Sequence, residues 1–331
     1  MPKELESNLK YRQELIEAAY TDPLVGEAIR QFCKDDILFF INTFCWVYEP
    51  RSRDVIPFIT WEFQDDCIMQ LIEHLGKKDV LIEKSRDMGA SWMVLTVFFW
   101  QWCFQPYSAM GLVSRTEDAV DKSDDPDTLM WKLDFHLKNL PSFLSPEMNK
   151  NDRSSLKLKQ PENESTIVGY SATGDVARGG RKLAFMMDEL AAFKADDGYA
   201  AYASTQHVTD CRIMLSNPQG AGGIFYEVAN ANSPDIEVIT LPWFLHPFKS
   251  KETYRTGIGY RLLRVGKSVL RLGVPKKRRR HLHGAVSHRR PRFRTRSYGT
   301  GVGVYRKRKI KAVDYSIERT PTPRQKVRNR V

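Results

Sequence analysis

Six short apolar runs, spaced through the middle of the chain and alternating with longer helical stretches, restrict this sequence to one broad architecture. The runs are Val80–Glu83, Ala109–Ser114, Thr166–Tyr170, Leu183–Met187, Ile213–Ser216 and Ile236–Leu241. Between them lie Ser91–Phe104 and Asp127–Leu140, which have the length and residue types of helices. Runs that are apolar throughout, rather than alternating with polar residues, are strands buried on both faces. Strands that alternate with helices form a mainly parallel sheet covered on both sides. The expected fold is therefore α/β, with flanking helices.

Upstream, Leu5, Leu9, Leu15, Ile16 and Ala19 recur at helical spacing, and Asp36–Trp46 is densely apolar. Pro50 to Pro57 reads as a connector, after which Phe63, Cys67, Ile68, Leu71, Ile72 and Leu75 share one helix face. This predicts an N-terminal helical segment, 1–56, packed on a domain of 57–250.

The remainder, 251–331, is chemically different. It holds 26 Lys and Arg against three acids, Glu252, Asp314 and Glu318, a local net of +23. Subtracted from totals of 51 basic and 40 acidic residues, this leaves 25 and 37 in 1–250, a net of −12. Runs such as Lys276–Arg280 and Arg306–Lys311, with few and aperiodic apolar residues, predict a basic, disordered tail able to bind nucleic acid. Five scattered cysteines without CxxC spacing predict free thiols in a reducing compartment. The most apolar stretch, Trp92–Phe104, is shorter than the roughly 20 residues a membrane span needs and reads as a core helix. A soluble intracellular protein is expected.

Two strand tips carry chemistry. Lys84-Ser85-Arg86-Asp87-Met88-Gly89-Ala90-Ser91 follows a strand and opens a helix, the setting of a phosphate loop. Main-chain N–H groups at a helix N-terminus attract phosphate oxygens. Gly89 permits a close backbone approach, and Ser91 can place its hydroxyl on Mg²⁺. The loop lacks the usual lysine, since Ala90 occupies that place, so Lys84 or Arg86 must supply the cation. Leu183–Glu189 is a buried strand ending in Asp188 and Glu189. One carboxylate there can hold Mg²⁺, while its neighbour activates the water that attacks a γ-phosphate. The two motifs lie 99 residues apart, counted from Gly89 to Asp188, which leaves room for about two βα units. Ser216-Asn217-Pro218 ends the next strand, where a small polar trio can sense the γ-phosphate. Together these motifs predict an ATP hydrolase of the P-loop type with ATP and Mg²⁺ as ligands.

The set resembles the large terminase subunits of tailed bacteriophages over residues 35–248, with a RecA/ASCE-like motor core. In that family the phosphate cation is displaced to the start of the loop, as Lys84 and Arg86 are here. Trp61 and Gln64 are similar to its adenine-contacting segment, and Phe39–Thr43 to its N-terminal pattern. Arg178, in Arg178-Gly-Gly-Arg181, corresponds to an arginine that acts on a neighbouring subunit; Arg181 is the alternative. Ser216-Asn217-Pro218 resembles the coupling motif. The resemblance implies a motor that drives double-stranded DNA into a capsid in the host cytoplasm. It implies a homo-oligomeric ring working with a portal protein and a small terminase subunit. Terminases continue into a nuclease domain whose metal site needs several carboxylates, which 251–331 cannot provide. The expectation is that this segment is truncated or translated out of frame, with no nuclease activity. Two other readings remain open from the residues: another P-loop translocase or helicase, and a non-catalytic basic DNA-binding fragment.

Overall fold

The computed structural model describes residues 1–50, 52–172, 176, 180–249, 262–265 and 268–271. It divides into a unit of Met1–Gly259 and a second of Tyr260–Val331. Of the second, the strands Leu262–Val265 and Ser268–Arg271 are described, and they pair antiparallel. The expectation of a disordered basic tail otherwise falls on residues outside the described ones.

The first unit begins with three helices, α1 (Leu5–Thr21), α2 (Pro23–Asp35) and α3 (Ile37–Phe44). Their boundaries follow from single acidic residues. Asp22 accepts from Leu24 N–H and Asp36 from Phe39 N–H, each capping one helix where the previous one ends. The stretch read as a connector is instead a hairpin of β1 (Trp46–Glu49) and β2 (Asp54–Pro57). Its strands are short and Asp54, Val55 and Ile56 are exposed, so no apolar run marks it in the sequence. Then come α4 (Glu62–His74), β3 (Asp79–Lys84), α5 (Ala90–Phe104), β4 (Ala109–Ser114), α6 (Glu117–Val120) and α7 (Leu129–Asn139). The unit continues with β5 (Arg153–Ser154), β6 (Lys157–Lys159), β7 (Thr166–Ser171), β8 (Ala184–Asp188), α8 (Ala195–Thr205), β9 (Arg212–Ser216), α9 (Ile224–Asn230) and β10 (Ile236–Leu241).

One sheet organises the unit, in the order β10-β3-β9-β8-β4-β7-β6-β5. The first six strands are mutually parallel; β6 and β5 add an antiparallel edge. The expected α/β sheet is therefore present, with two layers. Side chains alternate between them, as the period of two requires. Val80 and Ile82 of β3 join the core formed with α3, α4 and α5, while Leu81 joins the smaller core on the opposite face with Phe193, Ala201 and Phe225. A Cβ at Gly111 of β4 would lie 2.2 Å from the Phe185 ring, so this strand pair closes only around glycine. Helix α5 is apolar on every side and buried on nearly every side, as such a helix must be.

The N-terminal helices fix the start of α4. Asn42 and Thr60 are buried and bond each other twice, Thr60 N–H to Asn42 Oδ1 at 2.9 Å and Asn42 Nδ2 to Thr60 Oγ1 at 2.9 Å. Lys3 Nζ reaches Asn42, Thr60 and Asp65 together. All five cysteines are free and buried, and burial pushes every thiol pKa upward. No helix among the described residues is long and apolar enough to cross a membrane.

Candidate nucleotide site

The tips of β3, β8 and β9 are adjacent in the sheet, and they bring the three motifs together. The strand between the two principal motifs, β9, comes last of the three in sequence; the intervening β4 and β7 lie on the far side of β8. Ligands of open parallel sheets collect outside these carboxyl ends.

The loop from Ser85 to Gly89 is held from several directions. Ser85 N–H donates to Leu241 O at 2.9 Å, tying it to the end of β10. Lys249 Nζ donates to Arg86 O and lies 3.7 Å from Asp87. Gln64 is buried, accepts from Trp61 N–H at 3.1 Å and donates to Met88 O at 3.2 Å. It therefore braces the loop from α4, whichever part of a nucleotide it also meets. Gly89 is left-handed (φ 76°), and a Cβ there would lie 2.8 Å from Gln64 Nε2. Met88 and Ala90 are buried, and the loop turns directly into α5.

Ser91 Oγ donates to Asp188 Oδ1 at 3.0 Å and lies 3.2 Å from Oδ2. Two residues 97 apart in sequence thus meet at the sheet's edge. Burial raises the Asp188 carboxyl pKa above the usual range, and Glu189 adds to this; Lys84, the Ser91 hydroxyl and Lys132 oppose it. Glu189 follows in a left-handed conformation, φ 55° and ψ 39°, and is exposed. For a residue with a Cβ that costs on the order of 1 kcal/mol, and such strain collects at functional sites.

The two candidate cations separate. Lys84 Nζ donates to Asn217 Oδ1 at 2.8 Å. The Arg86 side chain is exposed. Ser216 Oγ accepts from Ala191 N–H at 3.2 Å, just beyond Glu189, and donates to Asn217 O at 3.1 Å. The Ser216-Asn217 pair thus touches both the lysine and the carboxylate turn, while Pro218 is exposed. Trp61 lies among aromatic rings, with His246 at 4.6 Å, Phe63 at 5.8 Å and Phe248 at 6.0 Å between centroids. Arg178 lies outside the described residues. Arg181 is exposed.

Sequence reasoning missed Lys132, on the first turns of α7. It is half-buried, and its ammonium is exposed to the charge of Asp188 and Glu189. No spacing rule connects it to either motif; only the adjacency of β4 and β8 brings it near.

Among the described residues no three His, Cys, Asp or Glu side chains cluster as a metal site. The donors present suit Mg²⁺ nonetheless. A hydroxyl and one carboxylate are hard oxygen ligands, and Mg²⁺ typically completes its shell with water and substrate phosphates.

No protein-family model matches the sequence, and no curated protein matches it. Solved structures do. The large terminase of bacteriophage HK97 superimposes with a TM-score of 0.51 at 12% identity, over 68% of this chain and 51% of that one. The chain thus spans about half the length of that protein. The large terminase ATPase domain of Thermus phage P74-26 gives 0.42 at 15% identity, over 57% of this chain and 85% of that domain. The large terminase of the thermophilic bacteriophage D6E in complex with ADP gives 0.41 at 14% identity, over 59% and 49%. Strand order, flanking helices and superposition together give the first unit a P-loop α/β fold, shared with the superimposed half of the HK97 large terminase.

Proposed function

We propose that this chain hydrolyses ATP and is the motor of viral DNA packaging, coupling hydrolysis to movement of double-stranded DNA into a capsid. The observation that carries the reading is the contact of Ser91 Oγ with the Asp188 carboxylate at 3.0 Å, between a phosphate-type loop and the tip of a neighbouring parallel strand.

In this mechanism the N–H groups at the start of α5 cradle the phosphates, and Gly89 keeps the approach open. Ser91 and Asp188 hold Mg²⁺, which would supply charge to balance the phosphate oxygens. Lys84 leaves Asn217 Oδ1 and places its ammonium on the β- and γ-phosphates. Glu189 takes a proton from the attacking water. The new bond forms between that water oxygen and the γ-phosphorus, while the bond to the β-phosphate oxygen breaks, releasing ADP and phosphate. Loss of the γ-phosphate returns Lys84 to Asn217, and Ser216 passes the change to the Ala191 turn. Trp61 and its aromatic neighbours face the adenine, with Gln64 holding the loop beneath. Arg178 of an adjacent subunit serves as the second cation in a homo-oligomeric ring. A portal protein, a small terminase subunit and the host cytoplasm complete the setting, and these partners rest on the family resemblance.

Glu189→Gln should abolish ATP turnover and leave ATP binding intact, because the amide cannot accept the proton. Asp188→Asn should instead weaken binding of the Mg²⁺ complex. A Glu189→Gln protein that turns over ATP at the parent rate would remove the assignment. A second reading, a basic DNA-binding fragment without catalysis, is favoured by the net +23 of 251–331. Titrating DNA against the full chain at increasing salt, with and without ATP, separates the two. The motor requires DNA-stimulated turnover. The fragment requires steeply salt-sensitive binding that ATP does not alter.

A further inference from the structure

The phosphate loop is short of positive charge. Ala90 stands where a lysine is usual, Lys84 is bonded to Asn217, and Arg86 points into solvent. A third cation sits beside the site on a different element. Lys132 lies in α7, which follows β4, and β4 is the sheet neighbour of β8. Its Nζ donates to Asp127 O at 2.6 Å and Thr128 O at 3.2 Å, and lies 6.0 Å from the centre of the Trp92 ring. Trp92 directly follows Ser91, the residue seated on Asp188.

We propose that Lys132 is a phosphate-binding residue of this site, which directs its ammonium to the γ-phosphate as a second cation beside Lys84. The inference rests on the reading of the site as an ATPase. A lysine has three N–H donors, and the two carbonyls use two of them. Both acceptors are neutral, so the charge itself is not cancelled by its own hydrogen bonds.

Two structural cations of this molecule behave otherwise, whereas buried Arg12 also bonds only neutral acceptors, Asn8 Oδ1, Cys45 O and Asn42 O. Arg212 closes on Asp79, and Arg153 closes on Asp121 and Asp134 at 2.9 Å each. Among the described residues Lys132 closes on no carboxylate in this way, although Asp188, Asp127, Asp125 and Glu189 all act on its charge. Burial lowers the ammonium pKa and the four acids oppose this. An ammonium held by carbonyls at its base, within the field of metal-binding acids, is placed to meet an anion that arrives with the metal.

The test measures ATP and ADP affinity by displacement of a fluorescent nucleotide, with turnover and thermal midpoint, for the full chain and for Lys132→Met and Lys132→Arg. Methionine keeps most of the apolar stem and removes the charge. A charge-assisted hydrogen bond to the γ-phosphate is worth roughly ten- to hundred-fold in affinity. Lys132→Met should therefore weaken ATP by about that factor more than ADP, and Lys132→Arg should restore part of the difference. An unchanged ATP-to-ADP ratio overturns the proposal, and does so even if the midpoint falls, since a packing role moves both nucleotides together. A parent chain that binds neither nucleotide overturns the ATPase reading along with it. Parent binding with no selective loss in the variants overturns this inference alone.

Discussion

Neighbouring strands carry ionic groups at both edges of the sheet, and the two edges treat them in opposite ways. At the N-terminal edge, Asp79 opens β3 and Arg212 opens β9. Both are buried, and every contact between them is used: Arg212 N–H meets Asp79 Oδ1 at 2.7 Å, Nε meets Oδ2 at 2.9 Å, and a further guanidinium nitrogen also bonds Oδ2. The guanidinium additionally reaches Tyr202 O at 3.1 Å and lies 4.0 Å from that ring's centre. At the C-terminal edge, Lys84 closes β3 and Asp188 closes β8, and each is hydrogen-bonded to a single side chain. Lys84 has Asn217, and Asp188 has one hydroxyl. A pair locked on itself stabilises a fold. Polar groups held by one neutral partner can exchange that partner for a ligand. Binding chemistry thus sits where pairing is incomplete.

The largest effect expected from this contrast is on the locked edge. Asp79→Ala should destabilise the chain by about 3–5 kcal/mol in denaturant unfolding, because it strands a buried guanidinium. Nucleotide affinity of the folded fraction should stay unchanged. A cost below about 1 kcal/mol would mean that the pair is wetter than its burial indicates, and the contrast would fail. At the open edge, Lys84→Ala should weaken ATP binding roughly ten- to hundred-fold with little loss of stability. Arg86→Ala should change neither. If only the Arg86 change matters in a nucleotide titration, the phosphate cation is misassigned.

Gly89→Ala falls between the two kinds of effect. A left-handed alanine costs about 1–2 kcal/mol, and its Cβ would press on Gln64 Nε2. Both stability and ATP affinity should fall, the first measured by unfolding and the second by titration. Loss of stability alone would show that Gln64 can release Met88 O without moving the loop.

How much of this was legible depended on how local the signal was. Ala109–Ser114 and Ile236–Leu241 are strands over the same residues the apolar runs predict; the first is buried almost throughout, and the second, at the sheet's edge, still keeps Ile239 and Leu241 inside. The β5–β6 edge escaped because Lys157-Leu158-Lys159 is polar on its open side. The loop motif and the Asp188-Glu189 tip were readable, since each is contiguous. The Asp79–Arg212 pair, 133 residues apart, and Lys132 were not, because both depend on strand order. Gln64 was readable as a site residue by resemblance, but its hold on Met88 O emerges only from the packing of α4 against the loop.

The smallest effect concerns the body of the site rather than either edge, and asks whether burial without pairing also costs stability there. His136 lies on α7, four residues beyond Lys132, stacked 5.3 Å from Phe99 and edge-on to Trp92 at 5.2 Å. Thr96 Oγ1 commits its proton to Trp92 O at 2.6 Å, so His136 Nε2, 2.9 Å away, must carry the hydrogen and donate to that oxygen. Nδ1 is then a bare, buried nitrogen with no partner among the described residues. Protonation would create a buried charge whose new N–H has no acceptor, and burial accordingly holds the imidazole pKa at about 3, below the usual 6.5. The sign follows from linkage. The unfolded chain binds this proton first, so the stability that His136 contributes is complete above pH 6.5. It is lost as pH falls from 6.5 toward 3, at about 1.4 kcal/mol per unit. His136→Gln removes the titration while keeping an amide donor for Thr96. Urea unfolding at pH 7.5, 6.5 and 5.5 should show the parent losing about 1 kcal/mol more than the variant by pH 5.5. Parallel slopes would mean that water or an acceptor reaches Nδ1, and that the body of the site is as open as its tips.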